Sequence, residues 1–402
     1  MTSTPTLELA DIFRRYAPEY IQSHGPTTPH ERRVLDAIQR CRTVALGGHV
    51  EKCDHCGHTE VFYNSCRNLH CPKCQAAARA RWLEARQDEL LPVEYFHLVF
   101  TLAEEFRPIA LQNKKTVYGI LFRAAAETLC QLARDPKHLG AEIGFFGILH
   151  TWGQNLSHHP HVHFVVPGGG LSPDRAAWVS APRGFFLPIK VLKLVFRGKF
   201  IAHLKRAFTN EKLVFRGSLA ELADSKAFNA LLDNACRHEW VVYAKQPFGG
   251  PQHVLKYLAR YTHRVAIANQ RLISMDGGRV TFRWKDYADH NRMKVMNLDV
   301  FEFIRRFLLH VVPPRFTRIR YYGFLSTRNR TDSLALCRRL LTQAETANSV
   351  PDGGCEPVDS GHPEEQRRSC PVCKKGTMVI IEDFGPSRWR PDPSRPESVD
   401  TS

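Results

Sequence analysis

The stretch His159-Pro160-His161-Val162-His163-Phe164-Val165-Val166-Pro167-Gly168-Gly169-Gly170 constrains this chain more than any other. Val162, Phe164, Val165 and Val166 favour extended backbone, so residues 160–166 are expected as a strand. Residues two apart on a strand share a face. His161 and His163 then project side by side, while Val162 and Phe164 turn to a core. Two neutral imidazoles on one rigid face are two metal ligands at fixed separation. The glycines that follow let the chain turn away without side-chain bulk. Upstream, residues 145–152 read as a second strand and 155–158 as a turn. A hairpin folded about residues 156 and 157 sets His150 opposite His163 and Trp152 opposite His161. His150 then becomes a third ligand, with Gln154 on the same face as the alternative. The plainer alternative is a surface hairpin that is merely rich in histidine.

Further chemistry lies on both sides of this hairpin. Cys53-Asp54-His55-Cys56 and Cys71-Pro72-Lys73-Cys74 are two C-x-x-C turns fourteen residues apart. Each such turn aims two thiolates at one ion, so Cys53, Cys56, Cys71 and Cys74 are expected to close a tetrahedral structural zinc site. Cys66 and His70 are spare ligands. Arg67, Lys73, Arg79, Arg81 and Arg86 surround or follow this ribbon, as contact with DNA phosphates would require. Cys370-Pro371-Val372-Cys373 is half of another knuckle, with no evident second half.

Residues 252–264 read as a helix beginning after Pro251. Tyr257 and Tyr261 are four apart and share a face, and Lys256, Arg260 and Arg264 form a second row beside them. Phenols can serve as nucleophiles while the cations hold phosphates; the alternative is an amphipathic helix with ordinary tyrosines. Between residues 301 and 330, Arg305, Arg306, Arg315, Arg318, Arg320, Arg328 and Arg330 interleave with Phe and Tyr. That mixture suits stacked single-stranded bases, or a solvated basic surface over an aromatic core. A helix is also expected over 218–234.

A net charge of +16 and a pI of about 9.4 favour a polyanionic partner, most often nucleic acid. No run of about 18 apolar residues suggests a membrane span. The opening Met1-Thr2-Ser3-Thr4-Pro5 lacks a basic-then-apolar signal pattern. A cytoplasmic, nucleoid-associated protein is therefore expected, whose twelve cysteines stay reduced and bind metal.

Taken together, the cysteine ribbon, His150 to Leu156, His159 to Gly170 and Tyr257 to Arg264 resemble the two-tyrosine rolling-circle transposases of bacterial insertion sequences, the insertion-sequence-ninety-one family. Helitrons, replication initiators and relaxases are relatives. The resemblance covers roughly residues 10–340. It implies an α+β fold: a histidine–hydrophobe–histidine (HUH) nuclease with an antiparallel sheet flanked by helices, an N-terminal zinc ribbon and a basic helical C-terminal region. Read together with composition, the expected division is a helical and zinc-ribbon DNA-binding domain over 1–90 and a catalytic domain over 91–275. A basic part of the transposase domain follows over 276–345, then a mostly disordered tail over 346–402 that carries the last C-x-x-C. By carry-over, His161 and His163 hold Mg²⁺ or Mn²⁺, and Tyr257 and Tyr261 are the nucleophiles that nick and rejoin single-stranded DNA. No nucleotide cofactor is implied, because a phosphotyrosine link conserves the phosphodiester energy. The alternatives are a plasmid replication initiator or relaxase with the same chemistry, and a non-catalytic zinc-dependent DNA-binding regulator.

Overall fold

The chain divides into two compact units. Residues 1–77, 267–308 and 351–402 belong to one unit, and residues 78–266 and 309–350 to the other. The structure is a computed structural model that describes residues 7–24, 27–87, 89–184, 186–245, 265–287, 289–346 and 368–386. Elements are numbered in chain order.

In the first unit, helix α1 (Leu9–Ser23) buries Leu9, Ile12, Phe13 and Ala17, one apolar stripe at helical spacing. Helix α2 (Pro29–Arg40) starts on a capping box. The Thr28 hydroxyl accepts from Glu31 N–H at 3.2 Å, and the Glu31 carboxylate accepts from Thr28 N–H at 2.9 Å. Strands β1 (Gly48–Cys53) and β2 (Thr59–Tyr63) form a hairpin, and β13 (Met378–Phe384) adds to its other edge in the order β13-β1-β2. Strands β9 (Leu272–Asp276), β10 (Arg279–Asp286) and β11 (Arg292–Asp299) make a second antiparallel sheet. It leads into α8 (Val300–Leu309), which meets α1 through the Phe13 and Phe307 rings at 5.0 Å.

The second unit is built on a five-stranded antiparallel sheet in the order β12 (Ile319–Tyr322), β4 (Phe145–Trp152), β5 (His158–Pro167), β3 (Tyr95–Thr101), β8 (Val242–Lys245). Strand β5 is central. Helices α5 (Lys114–Arg134) and α6 (Ile189–Thr209) cover one face over Leu98, Phe100, Phe145, Leu149, Val162, Phe164 and Val166. Gly147, paired with Phe164, leaves room for that ring, which a Cβ would strike. Helices α3 (Pro72–Gln87), α4 (Arg107–Gln112), α7 (Ser225–Arg237) and α9 (Arg330–Thr346) and the short pair β6 (Gly169–Leu171) and β7 (Trp178–Ser180) complete the elements.

The α+β class and the antiparallel sheet flanked by helices agree with expectation, but the division of the chain does not. Residues 276–308 lie with the first unit, where Phe307 of α8 meets Phe13 of α1 and Phe303 meets Phe282 of β10. The basic C-terminal stretch holds strands β10, β11 and β12 as well as helices α8 and α9. Part of the tail, residues 368–386, is folded as β13 and the turn before it. The helix expected from residue 218 begins at Ser225. There Asp224 accepts from the N–H groups of Lys226 and Ala227 at 2.9 and 3.0 Å, while 217–223 form 3₁₀ turns.

The β4–β5 register also differs. His150 pairs with His161, Ile148 with His163 and Trp152 with His158, with a bulge between His150 and Trp152. The cause is the turn. Gly153 N–H donates to Ser157 O at 2.9 Å around a three-residue loop whose last residue, Leu156, takes φ +64°. Such loops carry a left-handed third residue and a bulge, and here a leucine stands where glycine would have signalled it. Two buried histidines hold the hairpin. His310 Nε2–H donates to Leu156 O at 3.1 Å, while its Nδ1 lies 3.3 Å from the Thr151 hydroxyl. His158 Nε2 lies 2.8 Å from the Tyr118 hydroxyl.

These two imidazoles set an acid limit on the fold. Burial pushes both His158 and His310 down to about 3, whereas an unfolded imidazole titrates near 6.5. Between those values the unfolded chain binds protons that the folded chain does not, so stability rises with pH. Each histidine removes up to about 1.4 kcal/mol per pH unit as pH falls from about 6.5 toward 3, and nothing above it. His310→Gln should flatten the pH dependence of the urea midpoint between pH 6.5 and 4.5 by about one histidine's share. An unchanged slope would contradict the assignment.

Candidate metal centre

Strand pairing brings His150 from β4 and His161 and His163 from β5 onto the face opposite α5 and α6. One ligand nitrogen from each of the three lies within 4.8 Å of the others. Their ring centroids are 4.5 to 5.5 Å apart. His150 and His163 are buried and His161 is half-buried, so the cluster opens on the His161 side. Gln154, the alternative third ligand, lies in the turn beyond the end of β4.

The bond made by His161 fixes its tautomer as a metal site needs. His161 Nδ1–H donates to the His159 carbonyl at 2.6 Å, leaving Nε2 as the lone-pair nitrogen. His163 Nδ1 lies 2.8 Å from His97 Nε2, with the two rings stacked at an interplanar angle of 7°. A proton on His163 Nδ1, accepted by His97, frees His163 Nε2 in the same way. His159 is held neutral, its pKa lowered first by burial and then by Arg107, whose guanidinium donates to His159 Nδ1 at 3.0 Å. Three imidazole donors with room for oxygen ligands on the open side suit a divalent transition ion.

His97 was not legible as part of the site. It sits in an apolar run, and only the β3–β5 pairing brings it beside His163. Tyr257, Tyr261, Lys256, Arg260 and Arg264, with the helix proposed to carry them, lie outside the described residues. The chain enters that segment from β8, whose last residue Lys245 pairs with His97. The interleaved arginines and aromatics are largely used in packing. Arg305 and Arg306 each reach Glu302 at 2.6 Å, with Arg305 first in pulling its carboxyl down to about 2. Arg320 lies 4.3 Å over Phe122, Arg330 lies 5.1 Å over Tyr321, and the buried Arg318 lies 5.5 Å over Trp152.

The cysteines sort differently from expectation. Cys71 and Cys74, at the start of α3, meet Cys41 and Cys66 rather than Cys53 and Cys56. The Sγ separations are 3.5 Å for Cys41–Cys74 and 3.6 Å for Cys66–Cys74. With Zn–S near 2.3 Å, the edge of a ZnS₄ tetrahedron is about 3.8 Å, so this set fits zinc. Cys41 has no C-x-x-C partner, so its spacing gives no ligand signal. Cys53 and Cys56 gather instead with Cys370 and Cys373. Sequence spacing cannot show that partnership, since the halves are more than 300 residues apart.

His97→Phe should weaken Mn²⁺ binding at the histidine cluster by about 10- to 100-fold, as loss of an outer hydrogen-bond partner does. Calorimetric titration of Mn²⁺ checks this, with the far-ultraviolet spectrum unchanged. A change of less than twofold would remove His97 from the site.

Residues 144–333 match the family model described as "Putative transposase", and residues 12–102 the one described as "Transposase zinc-binding domain". The chain is 54% identical over 387 residues to "Putative transposase y4qJ" of Sinorhizobium fredii, covering 95% of this chain and 97% of that one. It is 28% identical over 316 residues to the transposase for insertion sequence element IS801 of Pseudomonas savastanoi pv. phaseolicola, covering 77% and 73%. No solved structure matches. A zinc-binding region ahead of a transposase region, and a relative of this identity along nearly the whole chain, place the protein: it belongs to the transposases of the insertion-sequence-ninety-one family.

Proposed function

We propose that this transposase nicks and rejoins single-stranded DNA at the ends of its insertion sequence by tyrosine attack, as a metal-assisted HUH endonuclease and strand transferase. The observation that carries the reading is the cluster of His150, His161 and His163 on the central strand pair of an antiparallel sheet. A divalent Mg²⁺ or Mn²⁺ held there would polarise the scissile phosphate as a Lewis acid. His161 and His163 are the two principal ligands and His150 the third. The His159 carbonyl and His97 orient two of these rings.

Tyr257 and Tyr261 are the nucleophiles. The phenol oxygen attacks phosphorus as its proton leaves, the bond to the 3′ oxygen breaks, and that oxygen departs as a hydroxyl. A 5′-phosphotyrosine remains, and a later attack by a 3′-hydroxyl reverses the step. Lys256, Arg260 and Arg264 stabilise charge on the phosphate. A replication initiator or relaxase would use the same chemistry, and likeness to the IS801 transposase favours transposition. A non-catalytic regulator has no use for three converging imidazoles.

A labelled single-stranded oligonucleotide carrying an element end, mixed with protein and Mn²⁺ or Mg²⁺, should give a denaturant-resistant adduct. His161→Ala and His163→Ala should each abolish it while leaving salt-dependent DNA binding nearly intact, since Lys and Arg contacts dominate affinity. Tyr257→Phe and Tyr261→Phe should each retain an adduct through the other tyrosine, and the double variant should form none. Covalent capture by the double variant would place the nucleophile elsewhere.

A further inference from the structure

The four cysteines left aside by the first cluster come from opposite ends of the sequence. Cys53 ends β1 and Cys56 ends the turn that follows it. Cys370 and Cys373 lie just before β13. We propose that they form a second tetrathiolate zinc site, a clasp that makes the docking of residues 368–386 on β1 metal-dependent.

The two turns are near copies. In each, the residue after the second cysteine is left-handed, Gly57 at φ +74° and Lys374 at φ +57°. In each, its N–H donates to the carbonyl of the first cysteine, Gly57 to Cys53 at 3.1 Å and Lys374 to Cys370 at 3.0 Å. Backbone donors also face sulfur. His55 and Cys56 N–H reach Cys53 Sγ at 3.4 Å, and Gly376 N–H reaches Cys373 Sγ at 3.4 Å. Such donors balance thiolate charge around a metal. Position 376 must be small, because a Cβ there would stand 2.5 Å from Cys53 Sγ and 2.6 Å from Asp54 Oδ1.

The sulfur geometry fits zinc. Cys53–Cys373 and Cys56–Cys370 are each 3.7 Å apart, and all four Sγ atoms lie within 4.8 Å of one another. The tetrahedral edge is about 3.8 Å, whereas a disulfide would need about 2.05 Å. Four protein ligands leave no open position, so the ion is architectural.

What the clasp holds is visible beside it. Asp54 N–H donates to Thr377 O at 3.1 Å, and Thr377 N–H to Asp54 Oδ1 at 2.8 Å. From there β13 pairs with β1 from Cys53↔Met378 to Gly48↔Phe384. Bringing together segments more than 300 residues apart carries a loop-closure cost, while β13 contributes few buried side chains, only Met378 being fully buried. Metal bonds offset that cost. Without them the edge of β1 would be bare, and bare edges invite pairing with another chain.

The test is metal content of the full-length protein purified under reducing conditions. We expect two zinc ions per chain in the wild type, and one in the variant carrying Cys370→Ser and Cys373→Ser. In that variant Cys41, Cys66, Cys71 and Cys74 should stay protected from alkylation, while the amides of 378–384 lose hydrogen-exchange protection. One zinc per chain in the wild type, or two retained in the double variant, would overturn the proposal. So would a disulfide linking Cys53 to Cys373 or Cys56 to Cys370. If the variant fails to fold, cobalt titration of the metal-free wild type decides. Thiolate-to-cobalt absorbance should rise to two equivalents, and saturation at one overturns the site.

Discussion

The antiparallel pairing of β4 with β5 is the constraint on which the histidine site depends. Its backbone ladder fixes the separation of His150, His161 and His163, and its alternation puts all three on one face. The opposite face fixes the register. Val162, Phe164 and Val166 are fully buried under α5 and α6, and a slip of one residue would turn them outward and the histidines inward. The same apolar residues that fold the sheet therefore aim the imidazoles. The hairpin end is held separately, by His310 on the Leu156 carbonyl and by Tyr118 on His158.

Much of this was legible from one short stretch. A His-x-His spacing among β-formers is read without structure, because side-chain alternation on a strand is fixed at two. The pairing partner of His150 was not. A non-glycine left-handed residue, Leu156, and a bulge after His150 shifted the register by two residues on β5. The three-histidine set survived because an even shift keeps every side chain on its face. His97 was invisible for a different reason, since a lone histidine in an apolar run gives no spacing signal. The arginines interleaved with aromatics show that such a pattern also serves packing. Arg318 and Arg320 lie over the Trp152 and Phe122 rings.

Cysteine spacing named the ligand type correctly and the grouping incorrectly. Two C-x-x-C turns close in sequence suggest one site, but each found its partners elsewhere. Cys71 and Cys74 join Cys41 and Cys66, and Cys53 and Cys56 join Cys370 and Cys373. The outcome separates metals by donor chemistry. Soft thiolates that fill all four positions suit structural zinc, whereas neutral imidazoles on an open sheet face leave positions for oxygen from water or phosphate. On the proposed function, an architectural ion and a reactive one would coexist in one chain without exchanging sites.

The central claim is that the three imidazoles, and not Gln154, form the catalytic metal site. A crystal soaked in Mn²⁺ and measured for anomalous scattering tests it most directly. The account predicts one manganese peak in bonding range of a nitrogen from each of His150, His161 and His163. A peak held by His161, His163 and Gln154 with His150 turned away would contradict it, as would manganese bound only elsewhere on the protein.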